Sequence, residues 1–90
     1  MLEQTETIIN PLGLHARAAA QLIRTATPFK AAITLERCDN GASANARSIL
    51  SVLHIAACYG VEVRILANGD DELEAMAAVS ALFRRGFGEI

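Results

Sequence analysis

At 90 residues, 52% of them hydrophobic and 20% charged, the chain has apolar material for one core and so for a single domain over residues 1–90. A formal net charge of -2 and the lack of any Lys/Arg-rich run exclude the electrostatic footprint of a nucleic-acid binder. No stretch reaches the roughly 18 apolar residues of a membrane span, and "MLEQTETII" has neither the basic region nor the apolar core of a signal peptide, so a cytoplasmic protein with no membrane partner is expected.

Residues 2–9 hold threonines and isoleucines in weak alternation before the turn "NPLG", which predicts a first strand; Glu6 interrupts the pattern and points to a partly exposed edge. From Ala16 to about Thr27, Ala16, Ala19, Ala20, Ile23 and Ala26 recur at helical spacing, and Pro28 closes the run. Phe29, Ala31, Ile33 and Leu35 then alternate with Lys30, Ala32, Thr34 and Glu36, the period of a half-buried strand. "RCDNGAS" turns through Asn40-Gly41 into a short strand ending near Ala44.

Asn45 or Ser48 can cap a second helix, expected to run to about Tyr59 and stop at Gly60. Within "SILSVLHIAAC", Ile49, Val52, Leu53 and Ala56 form the expected core stripe, while Leu50, His54 and Ala57 lie off it as an apolar strip open to a partner. Val61, Val63, Ile65 and Ala67 alternate as a fourth strand, and a third helix follows from about Asp70. Its acids suit the N-terminus, Arg84 and Arg85 suit the C-terminal end, and Leu73, Met76, Val79 and Phe83 are its expected inward stripe. The order βαββαβα has too few strands for a doubly wound parallel sheet. It fits an α+β open-faced sandwich, a four-stranded antiparallel sheet with three helices on one face.

Cys38 and Cys58 are too few and too far apart for a metal knuckle or a redox CxxC, and packing or incidental roles are expected. Charge is uneven: Arg17, Arg24 and Lys30 stand between Asn10 and Leu35 with no acid, while acids gather at Asp70, Asp71, Glu72 and Glu74. A positive side carrying His15 favours an anionic ligand or an acidic partner; the alternative is ordinary solvated charge.

His15 opens the first helix with Arg17 two residues on. A metal role needs further ligands at recognisable spacing, and a triad needs a nucleophile and an orienting acid; neither stands nearby in sequence, and neither metal nor cofactor is expected. A histidine that accepts a phosphoryl group needs less. The first turn of a helix offers backbone N–H groups without intrahelical acceptors, here those of Ala16 and Arg17, and the Arg17 guanidinium adds a planar set of donors. Gly13 lets the preceding loop fold tightly. The alternative is a helix-capping or surface histidine.

"GLHAR" after an Asn-containing turn, the later "NARSIL" and the final "FGE" resemble, over essentially the whole chain, the HPr family, the histidine phosphocarriers of the bacterial phosphoenolpyruvate-dependent phosphotransferase system. The resemblance implies the fold read above and a carrier rather than an enzyme. It makes His15 the residue that takes a phosphoryl group from phosphorylated enzyme I and passes it to an enzyme IIA, with Arg17 contacting the phosphate. It further implies a monomer whose partner surface holds Arg24, Ile49, Leu50, Ser51 and His54. In the members regulated by an ATP-dependent HPr kinase/phosphorylase, Ser48 matches the phosphorylated serine; its alternative is a simple helix cap.

Ala18 stands where the family usually has proline, Ser51 where a glycine is common, and Arg47 where lysine is usual. Such drift fits a regulatory, nitrogen-type phosphorelay as well as sugar uptake. From other classes, the residues also admit an acylphosphatase-like domain with Arg17 as oxyanion clamp, or an interaction module with an inert histidine.

Overall fold

The computed structural model describes residues 1–90. Four strands form one sheet: β1 (Leu2–Thr7), β2 (Ala32–Arg37), β3 (Ser43–Asn45) and β4 (Glu62–Asn68). Three helices accompany them, α1 (Ala16–Ala26), α2 (Ile49–His54) and α3 (Glu72–Arg84), and a 3-10 turn over Gly86–Gly88 ends the chain's ordered elements. The sheet order is β1-β4-β2-β3, every neighbouring pair is antiparallel, and β1 is an edge strand. This is the open-faced α+β sandwich that the element order predicts.

Alternation sets the sheet's two faces. Val63, Ile65 and Ala67 of β4 turn into the core with Ile33 and Leu35 of β2, while Glu62, Arg64 and Leu66 turn outward. On the outer face Arg64 bridges Glu3 and Glu36 at 3.2 and 2.9 Å, so the two neighbouring strands meet across β4. Strand β2 begins three residues later than Phe29. The amides of Lys30 and Ala31 donate to the Asp71 carboxylate, both at 2.8 Å, which removes them from strand pairing and pins the start of α3 to the sheet. Asp71 accordingly makes no cap bond, and α3 starts at Glu72 rather than Asp70.

The helix faces differ from the simplest periodic reading. In α1 the buried residues are Ala18, Ala19, Leu22 and Ala26, with Ala16 exposed and Ala20 and Ile23 only half covered. The helix packs against both α2 and α3, so its buried face rotates toward the larger Leu22. In α3, Met76, Val79 and Phe83 are buried with Ala75, Ser80 and Leu82, but Leu73 is 71% exposed because it overhangs the edge strand beside Leu2 and Gln4.

Helix α2 stops at His54, five residues short of Tyr59. Ala56 takes a left-handed φ of 50°, which ends the helix, and Arg37 Nη1 donates to the carbonyls of Ile55 and Ala56. Its core contacts are therefore Val52 and, in part, Leu53, followed by Ile55 and Ala57; the expected Ile49 and Ala56 are exposed. Both cysteines are exposed free thiols.

Candidate functional site

His15 is the N-cap of α1, with extended backbone and a carbonyl that accepts from the Ala19 amide at 2.8 Å. Its side chain does not cap, and no acid stands in the first turn, so helix geometry leaves the amides of Ala16 and Arg17 without intrahelical acceptors beside the imidazole. Ala18, the third residue of the helix, is fully buried.

The loop before His15 is built for close approach. Gly13 has φ +66°, and a Cβ there would lie 2.6 Å from the Ala57 carbonyl oxygen and 2.9 Å from Cys58 Cα. The Leu14 amide donates to that same Ala57 carbonyl at 2.9 Å. The segment leaving α2 thus holds the loop. Asn10, fully buried, closes it from within by donating from Nδ2 to the Gly13 carbonyl at 2.8 Å.

The chain's far end supplies what the sequence neighbourhood of His15 lacks. Phe87 is buried, adopts φ 55° and packs edge-on against Phe83 with centroids 5.0 Å apart, while Gln21 Nε2 donates to the Phe87 carbonyl at 2.9 Å. That anchorage delivers Glu89 to the site. Glu89 Oε1 accepts from Asn10 Nδ2 at 2.9 Å; Oε2 accepts from Arg17 Nε at 3.1 Å and lies 2.6 Å from His15 Nε2.

The Asn10 amide most, then the His15 ring and the Arg17 guanidinium, hold the Glu89 carboxyl down to about 2 from an ordinary 4.5. An ionised carboxylate only accepts, so Nε2 carries the proton, and Nδ1 is the ring nitrogen free to use its lone pair. The imidazole is 26% exposed and Arg17 66%, so an approaching group can reach both.

His15 and Arg17, assigned together from sequence, meet here on one carboxylate. No acid stands near the histidine in sequence, but Glu89, 74 residues away in the chain, lies in direct contact with it. The C-terminal "FGE" contained it, but its resemblance carried no role. Of the expected partner surface, Arg24 is exposed in the last turn of α1, and α1 packs on α2, where Ile49, Leu50 and His54 are exposed, Leu50 by 77%. Ser51 is half-buried, and its hydroxyl accepts from the Asn45 amide of β3 at 3.0 Å. Ser48, not Asn45, is the N-cap of α2; its Oγ accepts from the Ser51 amide at 3.3 Å. Asn45 Oδ1 instead accepts from the Arg47 amide, and Arg47 Nη2 donates to the carbonyls of Phe29 and Ala31. No group of three or more His, Cys, Asp or Glu side chains is arranged to hold a metal ion, and no helix is long and apolar enough to cross a membrane.

Comparison with known proteins agrees with this geometry. Residues 2–85 match the family model for the PTS HPr component phosphorylation site. The chain is 44% identical over 89 residues to the phosphocarrier protein HPr of Xylella fastidiosa strain Temecula1, covering 99% of this chain and 98% of that one. It is 42% identical over 88 residues to the phosphocarrier protein NPr of Klebsiella oxytoca, covering 98% and 97%. A crystal structure of HPr from Thermoanaerobacter tengcongensis superposes with a TM-score of 0.92 at 39% identity, covering 100% of this chain and 99% of the other. With the fold, a histidine at a helix start and the whole-chain match all in agreement, this chain belongs to the HPr family of phosphocarrier proteins of the phosphotransferase system.

Proposed function

We propose that His15 is the phosphoryl acceptor, charged by phosphorylated enzyme I and discharged to an enzyme IIA. The observation that carries this reading is the partly exposed imidazole at the N-cap of α1, with one ring nitrogen bonded to Glu89 and the other free. The amides of Ala16 and Arg17, the positive end of the helix and the Arg17 side chain gather donors where phosphate oxygens would sit. A carrier needs no complete catalytic set, because donor and acceptor each bring their own half to a shared surface. Family membership favours this over the acylphosphatase-like and inert-module alternatives.

Incubation with enzyme I, phosphoenolpyruvate and magnesium should yield an acid-labile, alkali-stable phosphoprotein, and His15→Ala should abolish the label. Equal labelling of that variant would overturn the assignment. Arg24, Leu50, Ile49 and His54 on α1 and α2 are the docking surface in this reading, with Ser51 beneath them bracing α2 against β3.

Similarity to both an HPr and an NPr keeps a second reading in view, a regulatory nitrogen-type phosphorelay in place of sugar uptake. Transfer to a purified nitrogen-type enzyme IIA faster than to a sugar-specific one would decide for it. Ser48 is the proposed regulatory site: phosphate there would add negative charge at the start of the docking helix and oppose an acidic partner.

A further inference from the structure

We propose that the open edge of β1, together with the groove between it and α3, is a docking site for an extended, lysine-bearing segment of a partner protein, separate from the surface around His15.

The two edges of the sheet differ. β3 has three residues, and its Asn45 amide already donates to Ser51 Oγ. β1 has six, Leu2–Thr7, with neither proline nor lysine to discourage a further strand. Ile8 continues the strand and donates from its amide to the Val61 carbonyl at 2.9 Å, so alternation turns the backbone groups of Leu2, Gln4 and Glu6 toward β4 and those of Glu3, Thr5 and Thr7 toward the open side. That row of unpaired amides and carbonyls is the counterpart of one more extended backbone.

Beside this edge lies a groove of about 430 Å³, to which Leu2, Leu73, Met76 and Ala77 give apolar walls. Its polar groups call for a donor. Ser80 is 3% exposed, and its Oγ is buried with no hydrogen-bond partner, an acceptor left over in the floor of the groove. Gln4 commits its Nε2 to Glu6, which leaves Oε1 for a donor. Glu3 adds an exposed carboxylate on the edge, bonded on one side to Arg64. The one base lining the groove, Arg84, is taken up by Glu6 through Nε and Nη2 at 3.1 and 3.0 Å.

A lysine meets both demands. On an added strand the residue opposite Gln4 turns to the helix side with it. Lysine there lays its methylene stem on Leu2, Met76 and Ala77 and brings its ammonium, with three donors and no acceptor, to the Ser80 and Gln4 oxygens. An acidic side chain would face Glu3 and Glu6, and a purely apolar one would leave the Ser80 hydroxyl without a partner. None of these groups belongs to the His15 site or to the surface of α1 and α2, where Arg17 and Arg24 favour an acidic partner instead.

The probe is the peptide acetyl-Thr-Val-Thr-Lys-Thr-Val-Thr-amide, titrated into the nitrogen-15-labelled full-length protein. The amide signals of Glu3, Thr5, Thr7 and Ser80 should shift together and saturate, while those of Leu50 and His54 hold still. Norleucine in place of the peptide's lysine should weaken binding about tenfold, the scale of one hydrogen bond to a charged group. Ser80→Ala should cost the lysine peptide the same factor and leave the norleucine peptide unchanged; it removes only an unpartnered hydroxyl and so tests the groove without disturbing the core. Methylating the peptide's backbone nitrogens that face β1 should abolish binding. No shift along β1 at about 1 mM peptide, equal affinity for the two peptides, or shifts confined to α1 and α2 would overturn the proposal. So would movement of the same β1 signals on dilution of the protein alone, which would make a second copy of the chain the occupant of the edge.

Discussion

Around His15 each residue is chosen for a geometric reason that a single substitution exposes. Gly13 is the tightest case. Alanine there would have to adopt φ +66° with its Cβ 2.6 Å from a backbone oxygen, and Gly13→Ala should lower stability by about 1–3 kcal/mol, read as a lower urea midpoint. An unchanged midpoint would mean the loop gives way at no cost and does not hold the histidine. Glu89 makes the site sensitive to acid. Its carboxyl lies at about 2 in the folded protein against an ordinary 4.5, so its docking contributes in full above about pH 4.5 and is lost as pH falls through about 2. The His15 imidazole and the Arg17 guanidinium are the groups that face it, and neither is a carboxyl that would compete for the proton. Backbone NMR shifts of Phe87 and Ile90 should report protonation of the Glu89 carboxyl only as pH falls toward about 2; release of the tail near pH 4.5 would contradict the docking of Glu89.

At the scale of elements, α2 is the piece whose length tertiary contacts decide. Six residues are too short to persist alone, and the helix is held by Ser48 at one end and by Arg37 at the other. Ser48→Ala should cost about 1 kcal/mol through the lost cap, visible in thermal or urea unfolding. Ser48→Asp should keep the cap and slow phosphotransfer from enzyme I; an unchanged rate with every partner tried would count against regulation at this position. The apolar run through residues 49–57 reads as one long helix because Ala56 and Ala57 continue its composition. The left-handed Ala56 breaks it there, and the freed Ala57 carbonyl is then available to the Leu14 amide.

Across the whole molecule, the core and the site share atoms. Phe83 is completely buried in α3 and forms the wall on which Phe87 rests, and Phe87 carries the turn that presents Glu89. Phe83→Ala should cost about 3–5 kcal/mol, a large part of the roughly 5–15 kcal/mol available to a domain. In the fraction that remains folded, the backbone NMR shifts of Phe87 and Glu89 should move toward those of an undocked tail. A variant that loses stability but keeps the wild-type tail shifts would show that the tail docks independently of α3.

The amino-acid sequence by itself determined the element order, the two faces of the sheet and the pairing of His15 with Arg17. All of these rest on local periodicity, turn residues or short spacing, which act over a few residues and can be read there. The tertiary structure alone decided which helix faces are buried, where α2 ends, and that Asn10 and Glu89 attend the histidine. Those features depend on what packs against a segment from elsewhere in the chain. Glu89 looks like one more solvated acid near a terminus until Phe87 finds its place on Phe83, and only then does a carboxylate 74 residues away reach the imidazole.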